Sequence, residues 1–293
     1  MKEQKAKRVT YFSKEAITCP VCELDFYRED LLSGSGRLIA GELTDELRRL
    51  YEPSKKYGKI LPLVYAVLVC PRCYFAAYPK DFEAQASEPE TVAVLAEEQD
   101  DRKTSVELII DKLDFTESRT IREGSASYYL ALSCYEHFRK EYSPTIKQAM
   151  SALRGAWLFS ELHREKPNEN YDYVSSLFYR KARFFYDQAL EKEQTGGESM
   201  SLVAHLGPDV DKNYGYDGVL YVTALLEYRY GPKKQPERRI ESLDRAKKVI
   251  SKVHGMGRAS RSKPSTILEK AKDLYSAIAE EVKELKGEQE EPA

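Results

Sequence analysis

The feature that most constrains this chain is a pair of short cysteine motifs near its amino terminus, "CPVC" and "CPRC". The first contains Cys19 and Cys22, and the second contains Cys70 and Cys73. A Cys-x-x-Cys turn places two sulfur atoms on one side of a tight turn, and two facing turns form the closed tetrahedral four-sulfur site that structural zinc prefers. We therefore predict that these four cysteines bind one structural Zn²⁺ ion.

Such a site would not be catalytic, because four thiolates leave no open position at which the metal could activate water. The motifs depart from a compact zinc ribbon in two ways. Residues 23–69 form a long insertion between them, and Glu23 and Tyr74 follow the second cysteines, where the turn often has glycine. A four-sulfur iron centre has the same cysteine spacing and stays open as an alternative. A redox pair of the thioredoxin kind is disfavoured, because it needs one motif in a βαβ context.

Composition and charge exclude several classes of protein. The chain has 293 residues, 42% of them hydrophobic and 32% charged, so it can bury a sizeable core. Forty-six basic and 48 acidic residues give a formal charge of −2, which creates no global attraction to nucleic acid or to an anionic membrane. The start lacks the apolar run of a secretory signal, and the longest apolar stretch, 60–70, is about half of a membrane span. We therefore predict a cytoplasmic protein with no membrane insertion.

The first part of the chain, residues 11–82, is predicted to be a small zinc-ribbon-like α+β module. Its stretch 61–70 is rich in β-branched and aromatic residues and is predicted to be a strand that enters the second cysteine turn. Thr44 is predicted to be the N-cap of a short helix that stops before Pro53. The charged ends, 1–10 and 288–293, are predicted to be disordered.

The rest of the chain, residues 87–287, is predicted to be helical, because apolar residues recur there with helical spacing. The predicted helices cover 87–115, 117–141, 143–167, 168–193, 215–232, 235–255 and 263–288. Two of them show the small-large-small spacing of tetratricopeptide-like hairpins, at Ala182, Tyr186 and Ala189 and at Leu243 and Ala246. The predicted fold class is therefore mainly α, with the module followed by a tetratricopeptide-like repeat array. An irregular helical bundle is the alternative.

Evidence for catalysis is weak. Cys134 lies among apolar residues at helical spacing, which favours a buried core thiol over a nucleophile. The histidines lie on separate segments without metal-ligand spacing: His137, His163, His205 and His254. No phosphate-binding glycine loop or nucleophile elbow is present. We predict that the protein is not an enzyme, although a site built from distant residues cannot be detected in one sequence.

One segment, residues 233–263, is strongly basic, with 11 Lys or Arg against three Asp or Glu. Such a segment could contact the phosphates of RNA or DNA. The interleaved aromatic residues that stack on bases are missing there, which favours a solvated basic helix face followed by a flexible loop over 255–263.

Three segments resemble a known family: "CPVCELDF", "GRLIAGELTDELRRLYE" and "VYAVLVCPRCYFAAYPKDF". They are similar to an uncharacterised bacterial family, a domain of unknown function, in which a double CPxC module precedes tetratricopeptide-like helices. The similarity is clearest over about 15–85, and "GAWLF" and "YVTALLEYRYG" are weaker echoes of it. The resemblance implies zinc binding by the four cysteines, helical repeats and a bacterial cytoplasmic location, but it supplies no substrate.

The combined prediction is a non-catalytic adaptor or scaffold. Stacked helical hairpins create concave grooves, and aromatic side chains are common at binding hot spots, so a protein or peptide partner is expected in the helical groove. The alternative is a nucleic-acid-associated factor that uses the zinc module and residues 233–263.

Overall fold

A computed structural model of the chain describes residues 8–32, 34–254 and 264–290. It confirms the predicted class: a mainly helical protein with short strand hairpins towards the amino terminus. The α-helices described are α1 Pro79–Ala84, α2 Pro89–Glu97, α3 Gln99–Glu107, α4 Ile121–Cys134, α5 Pro144–Glu165, α6 Tyr171–Thr195, α7 Gly215–Tyr230, α8 Pro236–His254 and α9 Ser265–Glu290.

The strands described form two-stranded antiparallel sheets. The pairs are β1 Thr10–Phe12 with β4 Glu29–Leu31, β2 Ile17–Thr18 with β3 Asp25–Phe26, β5 Ile39–Leu43 with β6 Arg49–Glu52, and β7 Leu68–Val69 with β8 Ala76–Ala77. The prediction that residues 1–10 are disordered is wrong at Thr10, which pairs with Leu31. Residues 1–7 lie outside the described part of the chain.

The predicted helix that begins at Thr44 is replaced by a turn between β5 and β6. The Thr44 hydroxyl accepts a hydrogen bond from the backbone amide of Arg48 at 3.1 Å, which closes the turn. Leu47 adopts a left-handed conformation with φ 59° and is fully buried. The prediction is wrong because strand pairing and burial of the turn outweigh local helix propensity, which differs by less than about 1 kcal/mol between most residues.

Most of the stretch 61–70, which was predicted to be a strand, has a different structure. A 3-10 helix, Pro62–Tyr65, precedes β7, and within this stretch the strand is limited to Leu68–Val69. The Tyr128 hydroxyl in α4 donates to the backbone oxygen of Leu63 at 2.9 Å, which holds the compact turn against the helix. Packing against α4 therefore determines the conformation of this apolar run.

The helix predictions are right in kind and less accurate in their bounds. The helix predicted for 87–115 is divided into α2 and α3, and the helix predicted for 117–141 is the shorter α4. Helix α4 begins after Thr120 because Thr120 and Glu123 form a capping box. Helix α9 continues to Glu290, so the predicted disorder is wrong for 288–290, and 291–293 lie outside the described residues.

Helices α4 to α8 pack in chain order, and α9 packs against α7 and α8. The predicted small-large-small residues are buried: Ala182, Tyr186, Ala189, Leu243 and Ala246. At Gly155 in α5, a β-carbon would lie 2.5 Å from the Phe178 ring, so α6 approaches more closely than any other residue would allow. Stacking of the tetratricopeptide kind, and the division into 11–82 and 87–287, stay predictions.

The strand region and the helices share one hydrophobic cluster. Phe75 and Phe82 stack with their ring centroids 4.5 Å apart, and Phe75 also stacks on Phe138 beyond α4 at 6.3 Å. The second cysteine turn is thereby built into the same core as the helices. None of the helices described is long and apolar enough to cross a membrane.

Candidate metal centre

Each cysteine pair lies in the loop, or tip, of a hairpin whose strands have two residues each. The first hairpin is formed by β2 and β3, and the second by β7 and β8. In the first tip, the Cys19 amide donates to the Leu24 oxygen at 2.9 Å, and the Glu23 amide donates to the Cys19 oxygen at 2.9 Å. The equivalent bonds in the second tip run from the Cys70 amide to the Phe75 oxygen at 2.9 Å and from the Tyr74 amide to the Cys70 oxygen at 3.0 Å. The two tips therefore have the same backbone pattern.

The residues after the second cysteines show why glycine is common there. Glu23 has φ 59° and Tyr74 has φ 56°, and both lie in the left-handed region that glycine enters without steric cost. The turn therefore forms with side chains at both positions. The Tyr74 ring packs edge-on against Phe115, with centroids 5.2 Å apart.

The two tips bring the four predicted cysteines together. Cys19 Sγ lies 3.6 Å from Cys73 Sγ, and Cys22 Sγ lies 3.5 Å from Cys70 Sγ. All four sulfurs lie within 4.8 Å of one another, and none forms a disulfide. A tetrahedral metal with metal–sulfur bonds of about 2.3 Å places its sulfurs about 3.8 Å apart. The group therefore has the ligand type and the spacing to hold a metal ion.

The thiols affect one another's ionisation. The hydrogen bond with Cys70 raises the pKa of Cys19. The hydrogen bonds with Cys19 and Cys70 raise the pKa of Cys73, and those with Cys19 and Cys73 lower the pKa of Cys70. Without a cation, the hydrogen bonds from Cys19 and Cys73 therefore favour the thiolate form of Cys70. A bound divalent cation would favour four thiolates, because metal ligation requires deprotonated sulfur.

Two further residues support the second tip, Arg102 and Cys134, and the sequence did not single out Arg102. The Arg102 guanidinium in α3 is buried and donates to the backbone oxygens of Cys73 and Leu95, each at 2.9 Å. Because its neighbours in the sequence are charged, the sequence pattern does not distinguish Arg102 from an arginine on the solvent-exposed face of a helix. Cys134 is buried as predicted, and its sulfur accepts a bond from the Ala76 amide at 3.4 Å. Burial raises the pKa of Cys134 to about 11, so this thiol is protonated at neutral pH.

The other sequence candidates lie away from the cysteines. None of the histidines whose side chains are described joins the sulfur group, and His137 instead pairs with Glu98 at 2.8 Å. In the basic segment, Arg239 is buried and paired with Glu281, whereas Lys248 and Lys252 are exposed. The predicted flexible loop over 255–263 lies outside the described residues.

A second cluster of functional interest lies at the turn 44–48, here named the acidic tip. Asp45 accepts bonds from Arg229 in α7 at 2.8 Å and from Lys270 in α9 at 3.1 Å. Glu46 is buried and accepts bonds from three helices. Its donors are Trp157 Nε1 in α5, Tyr179 Oη in α6 at 3.0 Å and Arg229 Nη1 in α7 at 2.9 Å.

Sequence reasoning missed this cluster because it assigned Asp45 and Glu46 to a helix. Their partners lie more than 100 residues away in the chain, so no local pattern indicates them. Arg48 extends the cluster: it pairs with Glu161 at 3.3 Å and stacks over the Trp157 ring at 5.6 Å. The acidic tip thus connects the strand region to four helices.

These features define a class of protein: a mainly helical chain that carries a four-cysteine cluster on two facing hairpins. A family model for uncharacterised proteins conserved in bacteria (DUF2225) matches residues 12–278, and the chain belongs to that family, which confirms the resemblance. The chain is 46% identical over 280 residues to an uncharacterised protein of Borreliella burgdorferi, covering 96% of this chain and all of that protein. No solved structure matches the chain.

Proposed function

We propose that the four-cysteine cluster binds one structural Zn²⁺ ion and that the protein is a non-catalytic scaffold whose helices bind a protein or peptide partner. Four sulfurs at tetrahedral spacing, three of them from fully buried cysteines, support a closed site. Zinc prefers such sites, and they give substrate no position on the metal.

Metal analysis of the purified protein tests the first part. One zinc per chain is expected, and a tetrahedral tetrathiolate spectrum is expected after Co²⁺ replacement. A coloured protein with one iron per chain would instead establish the iron alternative. A protein that folds with no metal would contradict both.

The acidic tip is the observation that supports the second part of the proposal, binding of a protein or peptide partner by the helices. Its two carboxylates are bound by aromatic and cationic side chains from α5, α6, α7 and α9. A helical surface that holds a turn of its own chain in this way has the chemistry to hold an acidic segment of a partner. Charged hydrogen bonds of this kind contribute about 1.5–3 kcal/mol each.

A labelled peptide spanning residues 39–52, added to the full chain, tests this binding surface. The double variant Asp45→Asn, Glu46→Gln weakens the chain's own tip, so it should bind the peptide about tenfold more tightly than the wild type does in fluorescence anisotropy. The matched control is Glu42→Gln, an exposed acidic residue on the same hairpin, which should behave as wild type.

Equal binding by all three proteins, or no binding by any, would contradict the proposed peptide surface. Circular dichroism of each variant checks that the fold is retained. If the surface is confirmed, affinity purification from the native cell followed by mass spectrometry identifies the partner.

A further inference from the structure

A cavity of about 470 Å³ lies between the end of the strand region and the helices. Its walls come from the segment after β8, from α5 and from residues 202–210 between α6 and α7. Volumes of about 300–1,000 Å³ are typical of sites for small molecules. The cavity is separate from the cysteine cluster and from the acidic tip, since it shares no lining residue with either.

The polar wall of the cavity has an excess of positive charge. Lys80, Lys147 and Arg154 line it, with Asp81 as the one carboxylate among the lining residues. Asp81 is already engaged, because its Oδ2 accepts bonds from Lys147 Nζ and from the Tyr135 hydroxyl, both at 2.6 Å. Among the described residues, Arg154 and Lys80 are therefore the lining cations that form no ion pair with a carboxylate.

Arg154 is buried, with 4% of its surface exposed, and hydrogen bonds hold its side chain in place. Its Nε donates to the Pro208 oxygen at 2.7 Å, its Nη2 to the Gly207 oxygen at 3.1 Å and its Nη1 to the Tyr78 hydroxyl at 3.0 Å. A longer bond of 3.5 Å joins Nη2 to the backbone oxygen of Asp209. All four acceptors are neutral oxygens, and among the described residues Arg154 forms no ion pair, although the charge of the buried Asp209 carboxylate also favours the cation. A buried cation held by neutral oxygens is a favourable site for an anion, because low-dielectric surroundings strengthen the attraction.

Much of the remaining lining is apolar. The apolar part is formed by Met150, Leu202, Val203 and Val210. Leu202 is 63% exposed at the cavity wall, which leaves a large apolar side chain in water. Covering such a surface stabilises a complex by about 25 cal/mol for each Å² buried.

We propose that this cavity binds a small amphiphilic anion, an organic acid whose charged end lies at Arg154 and Lys80 and whose apolar body lies along Leu202, Val203 and Val210. The juxtaposition of a fixed guanidinium, a flexible lysine and an apolar wall specifies this ligand class. A ligand with only a charged end would contact only the cationic side chains, and a ligand with only an apolar body would contact only the apolar ones.

Isothermal titration calorimetry of the full chain with octanoate, acetate and 1-octanol tests the proposal. Octanoate should bind at least about tenfold more tightly than either acetate or 1-octanol, because it alone satisfies both walls. Octyl phosphate, titrated in parallel, shows whether the site prefers a carboxylate or a phosphate as the charged end.

Two exposed positions allow the site to be changed without disturbing the core. Lys80→Glu and Leu202→Glu should each weaken octanoate binding about tenfold, whereas Lys181→Glu, on the exposed face of α6, should leave it unchanged. Octanoate binding that is absent, no tighter than that of 1-octanol, or equal in all three variants would overturn the proposal.

Discussion

Glu23 and Tyr74 hold the two cysteine turns in a backbone conformation that costs a residue with a side chain about 1–2 kcal/mol. The backbone amide of each residue donates the hydrogen bond that closes its turn. Glu23 is exposed, whereas Tyr74 is buried and its hydroxyl donates to the Leu113 oxygen at 3.3 Å. The two positions are therefore equivalent in backbone and different in packing.

Replacing Glu23 with glycine should stabilise the metal-bound protein by up to about 1 kcal/mol. The change relieves the left-handed strain, and the greater flexibility of glycine in the unfolded chain offsets part of the gain. Urea denaturation measures the difference. The control is Glu15→Gly, at an exposed residue of the same region with an ordinary φ, which should be neutral or destabilising. If Glu23→Gly destabilises as much as the control, strain at Glu23 is refuted.

A second residue, Glu161, makes stability depend on pH. Burial alone would raise the pKa of its carboxyl, but the bond from Lys59 and the charges of Arg48, Lys59 and Arg164 lower the pKa below its ordinary value. A lowered carboxyl pKa stabilises the fold at neutral pH, and the contribution is lost as the pH falls through that lowered value.

Glu161→Gln should therefore reduce the free energy of unfolding at pH 7 by about 2 kcal/mol, the scale of charged hydrogen bonds. The difference from wild type should stay constant near neutral pH and shrink as the pH falls below about 4.5, the ordinary pKa of a glutamate, because the wild-type carboxyl then becomes protonated. Urea titrations across this range measure it. A difference that stays constant with pH would show that Glu161 acts through packing instead of charge.

At the scale of elements, the cysteine hairpins could be predicted and the acidic tip could not. Metal ligation needs two residues at short spacing in each hairpin, and that spacing is visible in the sequence. The conformation of residues 44–48 depends on contacts with Trp157, Tyr179 and Arg229, which are remote in the chain. Helices α5 to α9 were predicted because each carries its own apolar face, whereas their bounds depend on caps and neighbours.

Cys70→Ser should abolish metal binding and unfold residues 11–82, while α5–α9 keep most of their helical circular dichroism. Helix α4 should loosen as well, because the second cysteine tip packs against it through Cys134. Zinc content and far-ultraviolet circular dichroism measure both effects. Cys134→Ala is the control, since it removes a buried thiol that is not a proposed ligand and should keep one zinc per chain. Loss of all helical signal, or none, would contradict the expected division.

At the scale of the whole molecule, the acidic tip and the shared core connect the four-cysteine cluster to the helices. Asp45 and Glu46 bind α5, α6, α7 and α9, while Phe75 beside the second cysteine turn stacks on Phe138. Movement of the strand region relative to the helices would break both contacts. The protein is therefore expected to respond to metal loss over more of its length than the cysteine module alone.

The basic segment gives a prediction that separates the two proposed kinds of partner. If the protein is a scaffold for protein partners, it should bind neither RNA nor DNA at low salt in a gel-shift measurement. If it is a nucleic-acid-associated factor, binding should be salt-sensitive and should be lost when Lys247, Lys248 and Lys252 are changed to glutamine. Binding that survives this change would show that these lysines are not its contacts.

The position of the acidic tip within the chain has a consequence for partner access. A metal held between the two cysteine tips ties residues 23–69 into a closed loop, and the acidic tip lies inside that loop. Loop closure keeps a tethered segment at a high effective concentration near its binding surface, and opening the loop lowers that concentration. If zinc and a partner bind as proposed, metal occupancy would set how strongly the chain competes with the partner for its own helices. A change in available zinc would then change the affinity for the partner without any contact between metal and partner.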